Sequence, residues 1–188
     1  GDILAIGAAN NINDNGNDSG HVRVFKYSEN VWTQLGADID GEAADDFSGS
    51  SVSLSSNGTV LAIGAEKNDG NGVDSGHVRV FQYSDSAWAQ LGEDIDGEAA
   101  GDGSGFSVSL SSDGTRVAIG APTNINNDND GLSAGHVRVY EYSGGAWAKV
   151  GVDIDGEGAG DRSDGEAAGD LSGTSVSLSS DGTRVAIG

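Results

Sequence analysis

Cysteine and methionine are absent from the 188 residues, and proline occurs once. Without cysteine there is no disulfide, no thiolate metal site and no cysteine nucleophile. Basic residues are scarce: 9 Lys and Arg stand against 30 Asp and Glu, for a formal charge of −21. That balance argues against nucleic acid and against an anionic membrane surface, both of which need a basic face. It suits divalent cations or a saline medium that screens self-repulsion. No apolar run approaches the length of a membrane span, and no signal peptide is visible. Gly1 already lies inside a repeat, so a leader would have been removed or left out.

Glycine is plentiful, at 32 residues, and Ser and Asp are common. Such a composition can mean disorder. Here the apolar residues recur periodically, which points to a folded β protein.

The chain repeats itself. "HVRV" opens at His21, His77 and His136, and Trp32, Trp88 and Trp147 follow in step. "AIG" begins at Ala5, Ala62, Ala118 and Ala186. Residues 1–46 form a first repeat without its first strand, and 47–102 a second. Residues 103–170 form a third, and 171–188 begin a fourth. In the third, "DGEGAGD" is followed by "RSDGEAAGD", a duplicated acidic segment of the kind surface loops tolerate.

Each repeat spells four short strands. The first is "SVSLS", alternating with period two. "SNG" or "SDG" then supplies a tight hairpin turn. The second is "VLAIGA" or "RVAIGA", and the third is "HVRVFKY", "HVRVFQY" or "HVRVYEY". The fourth is "VWTQLG", "AWAQLG" or "AWAKVG", and an acidic stretch returns the chain to the next first strand. In the third strand Val78 and Val80 point one way, while Arg79, Phe81 and Tyr83 point the other. Apolar bulk on both sides predicts sheets stacked between like sheets. The predicted fold class is all-β, an array of four-stranded antiparallel sheets of the β-propeller blade type, part of a larger propeller or repeat array.

The repeat resembles FG-GAP repeats, the blades of integrin α-subunit propellers. "FSGSSVSLSSNGTVLAIGAE" from Phe47, "GSGFSVSLSSDGTRVAIGAP" from Gly103 and "SAGHVRVYEY" from Ser133 carry the likeness. Gly120–Ala121–Pro122 matches the family's Gly-Ala-Pro, while its Phe-Gly is loosened to "FSG", "GSG" and "LSG". The resemblance implies a propeller fold and an extracellular or cell-surface location. The family's calcium loop between the first two strands has shrunk here to "SSDGT", so that site is not carried over.

The acidic return stretch offers the other metal candidates. Asp38, Asp40, Glu42 and Asp46 follow the pattern D-x-D-x-E-x-x-x-D, as do Asp94, Asp96, Glu98 and Asp102, and Asp153, Asp155, Glu157 and Asp161. Alternate acids can converge oxygens on Ca2+; they also make solvated turns. No other cofactor is implied. Asn17 and Asn57 begin glycosylation sequons. The variable loops between second and third strands are either recognition loops or connectors. The three histidines are expected to hydrogen-bond structurally, and Arg23, Arg79 and Arg138 to pair with nearby acids. The tryptophans are expected to pack at the outer strand.

Catalysis needs unlike groups at one point, and this chain repeats like groups in separate places. The expected function is therefore non-enzymatic: an extracellular structural or adhesive repeat protein that self-associates or meets another extracellular protein or glycan. The alternative is a lectin-like or integrin-like binding propeller, and a propeller hydrolase stands third.

Overall fold

The computed structural model describes residues 1–124, 134–156, 169 and 171–188. All regular structure among them is β. The first sheet holds β1 (Ile3–Ala8), β2 (His21–Ser28), β3 (Val31–Gln34) and β4 (Ile39–Asp40). The second holds β5 (Ser51–Leu54), β6 (Val60–Ala65), β7 (His77–Ser84), β8 (Ala87–Gln90) and β9 (Ile95–Asp96). The third holds β10 (Ser107–Leu110), β11 (Arg116–Ala121), β12 (His136–Ser143), β13 (Ala146–Lys149) and β14 (Ile154–Asp155). β15 (Val176–Leu178) and β16 (Val185–Ile187) form a last hairpin. The named strands pair antiparallel, in the order β5-β6-β7-β8 in the second sheet and β10-β11-β12-β13 in the third. These are propeller-type blades, as the period-two pattern and the Asn-Gly and Asp-Gly turns predict.

The middle blade is covered on both sides. Its Val60, Ala62, Val78, Val80 and Ile95 are buried against Leu110, Val117 and Ile119 of the third blade. Its Leu61, Ile63 and Phe81 are buried against Val22, Val24 and Ile39 of the first. Alternation along β6 and β7 sends successive side chains into opposite seams. Burying a side chain of this size is worth about 1.5–3 kcal/mol, so each seam, rather than each sheet, is where the apolar stabilisation resides.

The serines of "SVSLS" do not form a wet face. Ser51 Oγ donates to the Gly105 carbonyl at 2.6 Å, and Ser53 Oγ accepts the Leu110 N–H at 2.9 Å. Ser107 Oγ and Ser109 Oγ repeat both bonds to Gly173 and Leu178. The polar half of the alternation stitches each first strand to the blade that follows.

The fourth strand is broken in two. β3 pairs with β2 over Phe25–Ser28, and β4 pairs with β2 at His21 and Val22. The acidic stretch therefore begins as strand, because Ile39 buries itself in the seam. Gly36 lies in the break with φ +75°, and a Cβ there would sit 2.9 Å from Trp88 Cδ1. The break thus makes room for the next blade's indole, whose N–H reaches the Leu35 carbonyl at 2.9 Å. Gly92, Trp147 and Leu91 repeat the arrangement.

Candidate functional site

The loops joining second to third strands and fourth to first strands meet at one end of the sheets. Asn68 Nδ2 donates to Asp46 Oδ2 at 3.1 Å, and Asn124 Nδ2 donates to Asp102 Oδ1 at 2.8 Å. Asp46 also accepts the Ala43 N–H, and Asp102 the N–H groups of Glu98 and Ala99. These buried aspartates anchor the return loops.

The other acids of each motif go elsewhere. Asp38 accepts from Gln34 and Asp94 from Gln90, both at 2.6 Å, and Asp153 accepts from Lys149 at 2.8 Å. Asp40 accepts from Asn13, while Asp96 and Asp155 stand opposite His77 and His136 in their sheets. Glu157 and Asp161 lie outside the described residues. Among the described residues, the carboxylates that approach a common point come from neighbouring repeats. Glu42 meets His77 and Asp94, and Glu98 meets His136 and Asp153, each set with ligand atoms within 4.8 Å of one another.

Each set has a buried guanidinium beside it. Arg79 Nη1 lies 3.5 Å from Glu42, its Nη2 donates to the Asp40 carbonyl at 2.8 Å, and its head stands over the Phe81 ring. Arg138 contacts Glu98 through Nη2 and Asp153 through Nε at 3.3 Å. The contacts with the carboxylates lack hydrogen-bond alignment: Nε of both arginines, and Nη2 of Arg138, are buried without a hydrogen-bonded acceptor. Burial, helped by the Arg79 charge, holds the His77 imidazole below its ordinary pKa. Burial does the same to His136. Burial works to raise the Asp153 carboxyl, but the Lys149 hydrogen bond and the Arg138 charge outweigh it and hold it low. Both histidines are therefore neutral at neutral pH.

A calcium ion takes six to eight oxygens. Glu42 drawn to Arg79, and Glu98 and Asp153 both drawn to Arg138, each with an imidazole beside them, do not make such an oxygen set. The arrangement is an interblade clasp of His, Arg and carboxylates. It joins acids to the His and Arg that the sequence pattern placed in different repeats.

The hairpin turns are locked in the same way each time. Asp113 Oδ1 accepts from Ser111 Oγ and from Thr115 N and Oγ1, and these bonds hold its carboxyl low. Ser179 and Thr183 hold Asp181 at about 2. Asn57 takes the same role for Ser55 and Thr59. Asn17 and Asn57 are both exposed.

One departure from the repeat lies at the loop end of the middle blade. Where the first and third blades leave their second strand through Ala9 and Pro122, the middle blade carries Glu66 and Lys67. Glu66 is half-buried, and burial raises its carboxyl pKa, Lys67 opposing and Asp74 reinforcing the shift. Lys67 Nζ lies 3.4 Å from Asp74. An acid with a raised pKa thus stands within electrostatic reach of an exposed Lys67–Asp74 ion pair at the loop end of one blade. The motif search passes over these residues because they belong to no motif. The signal that finds them is the mismatch between aligned repeats.

Residues 35–81 match the family model for the FG-GAP repeat. A search of curated protein sequences gives no match. Among solved structures, the chain is similar to one described as a "putative 6-phosphogluconolactonase" from Bacteroides uniformis, at 17% identity and a TM-score of 0.55. That match covers 89% of this chain and 40% of the other, so the chain spans less than half of that structure's length. It is also similar to the periplasmic gluconolactonase PpgL of Pseudomonas aeruginosa, at 15% identity and a TM-score of 0.43, over 80% of this chain and 37% of that one. At these identities the likeness shows the fold.

The first match nevertheless corrects two expectations. A non-enzymatic structural or adhesive role, with a binding propeller as its alternative, was inferred from repetition on this fold. The same fold in the Bacteroides protein carries a lactonase's name. Repetition of the scaffold is therefore no ground for excluding catalysis, because a reactive group can sit at one non-repeating position.

Proposed function

We propose that this chain contributes blades to an exported propeller hydrolase that opens a cyclic ester, with Glu66 as its proton-handling group. The observation that carries this is the pair Glu66 and Lys67, unlike charged side chains that stand where the first and third blades have Ala9–Asn10 and Pro122–Thr123, with Asp74 beside Lys67. A general base works best with a pKa near the working pH, and burial moves Glu66 in that direction. The lactonase name of the structural neighbour supports the reaction class, and the FG-GAP match supports the exported location.

In this scheme Glu66 takes a proton from water as the water oxygen bonds to the ester carbon. It returns that proton to the ring oxygen as the carbon–oxygen bond breaks, leaving a hydroxy acid. Lys67 faces the charge that develops on the carbonyl oxygen. The formal charge of −21 repels a phosphorylated substrate, so the favoured substrate is an uncharged sugar lactone.

Acid release from such a lactone, followed at constant pH, tests this. Glu66→Gln is expected to lower kcat by about 10²- to 10⁴-fold with the fold intact. Equal rates in wild type and Glu66→Gln, or no release above the uncatalysed rate, would overturn it.

A further inference from the structure

One groove forms twice along the seams, and its two copies differ in charge. In the first seam Asp38 and Asp40 of the first blade face Phe81 and Trp88 of the middle blade across a space of 290 Å³. In the second seam Asp94 and Asp96 of the middle blade face Tyr140 and Trp147 of the third across 340 Å³. Small-ligand sites occupy about 300–1,000 Å³, so the second groove can hold a small molecule. Each indole is held in place by its N–H bond to the preceding blade, at Leu35 or Leu91.

The first groove contains its own cation. Arg79 lines it, stands 5.4 Å from the centre of the Phe81 ring and donates through Nη2 to the Asp40 carbonyl at 2.8 Å. A guanidinium over an aromatic face is attracted by the ring's quadrupole, and more strongly where water is excluded. The second groove has the rings and the acids without the cation. Arg138, the counterpart of Arg79, is absent from its lining. It is drawn instead to Asp153, 3.3 Å from its Nε, and to Glu98, and it meets Tyr140 only at the hydroxyl, 3.5 Å from Nη1. Among the described residues no guanidinium stands over the Tyr140 ring or donates to the Asp96 carbonyl, the counterpart of Asp40. A further carboxylate, Glu93, lines the second groove where the first has Ala37. Asp94 is engaged by Gln90 and faces His77, so it supplies charge, while Glu93 and Asp96 supply open acceptors.

We infer that the second groove binds a small organic cation of the guanidinium type, seated as Arg79 is seated in the first. Its planar head lies on Tyr140 and donates to the Asp96 carbonyl, its other N–H groups meet the Glu93 and Asp96 carboxylates, and its alkyl part lies along Trp147. The formal charge of −21 draws any cation toward the protein. Selectivity comes from the contrast between the grooves: three lining carboxylates and no basic side chain in the second, two carboxylates and a resident guanidinium in the first. The site does not rest on the ester-opening reading, since Glu66, Lys67 and Asp74 take no part in its lining.

Butylguanidinium, titrated into the whole chain at fixed ionic strength, tests this. The three tryptophans give three indole N–H signals in a proton–nitrogen correlation spectrum, assigned with single Trp→Phe variants. The Trp147 signal is expected to shift and saturate while that of Trp88 stays in place, and calorimetry is expected to count a single site per chain. Glu93→Ala, which installs the residue the first groove has there, is expected to weaken binding several-fold. Glu93→Ala with Asp96→Asn is expected to abolish saturation, with an unchanged circular dichroism spectrum. Ala37→Glu is expected to add no second site, because Arg79 already fills the first groove. Shifts that never saturate in wild type, equal shifts at Trp88 and Trp147, undiminished affinity in the double variant, or a second site gained by Ala37→Glu would overturn the inference.

Discussion

His77 shows what a single residue contributes to a seam. It is held neutral by burial, with the Arg79 charge adding to the effect, while Asp94 and Glu42 pull weakly the other way. A histidine with a depressed folded-state pKa is protonated more readily in the unfolded chain. Stability is therefore lost as pH falls from the unfolded value near 6.5 toward the lower folded value, and levels off below it. Thermal melts of wild type should fall across that window, and those of His77→Asn should fall less steeply. Parallel curves would mean that His77 does not couple protonation to folding. Position 66 makes the opposite point at the same scale. Its carboxyl is raised, so an ester-opening reaction that uses it as base should gain rate as pH rises through a value above the ordinary 4.5. A pH–rate profile whose acid limb stays where a free carboxyl titrates would remove Glu66 from that role.

At the scale of the strand, the first and second strands carry different kinds of glue. Ile63 sits wholly inside the seam, while its counterpart Ile6 is half in solvent. Ile63→Ala is expected to cost about 2–5 kcal/mol. Ile6→Ala should cost a small fraction of that. Denaturant titration of both variants gives the comparison. Ser53→Ala deprives the Leu110 N–H of its acceptor and should cost about 1–3 kcal/mol, more than an exposed serine would. Strand positions and hairpin turns were legible in the letters because period two and Asn-Gly or Asp-Gly are local signals. So was the two-sided burial of β7, since Val78 and Phe81 cannot both face water cheaply. The serine stitches were not, because alternation with a polar residue looks the same whether that residue meets water or a neighbour's backbone. The break in the fourth strand was hidden for a related reason: Gly36 is explained only by Trp88, a blade away. The clasps of Glu42 with His77 and Glu98 with His136 join acids and histidines from successive repeats, and a motif scan confined to one repeat separates them.

Over the whole molecule, cohesion lies between sheets. Each blade alone would expose a valine face or a phenylalanine face, and the two apolar clusters lie across the two seams of the middle blade. Stability should then be graded along the array, as it is in quasi-one-dimensional repeat proteins. Among the described residues the middle blade has a seam on each side, the first blade is seamed to the middle one, and the β15–β16 hairpin has two strands. Native-state amide hydrogen exchange measures this gradient strand by strand. The account predicts the slowest exchange in β6 and β7, faster exchange in β1 and β2, and the fastest in β15 and β16. Equal protection in β1 and β6, or slower exchange in the terminal hairpin than in the middle blade, would show that the sheets hold themselves together and would contradict it.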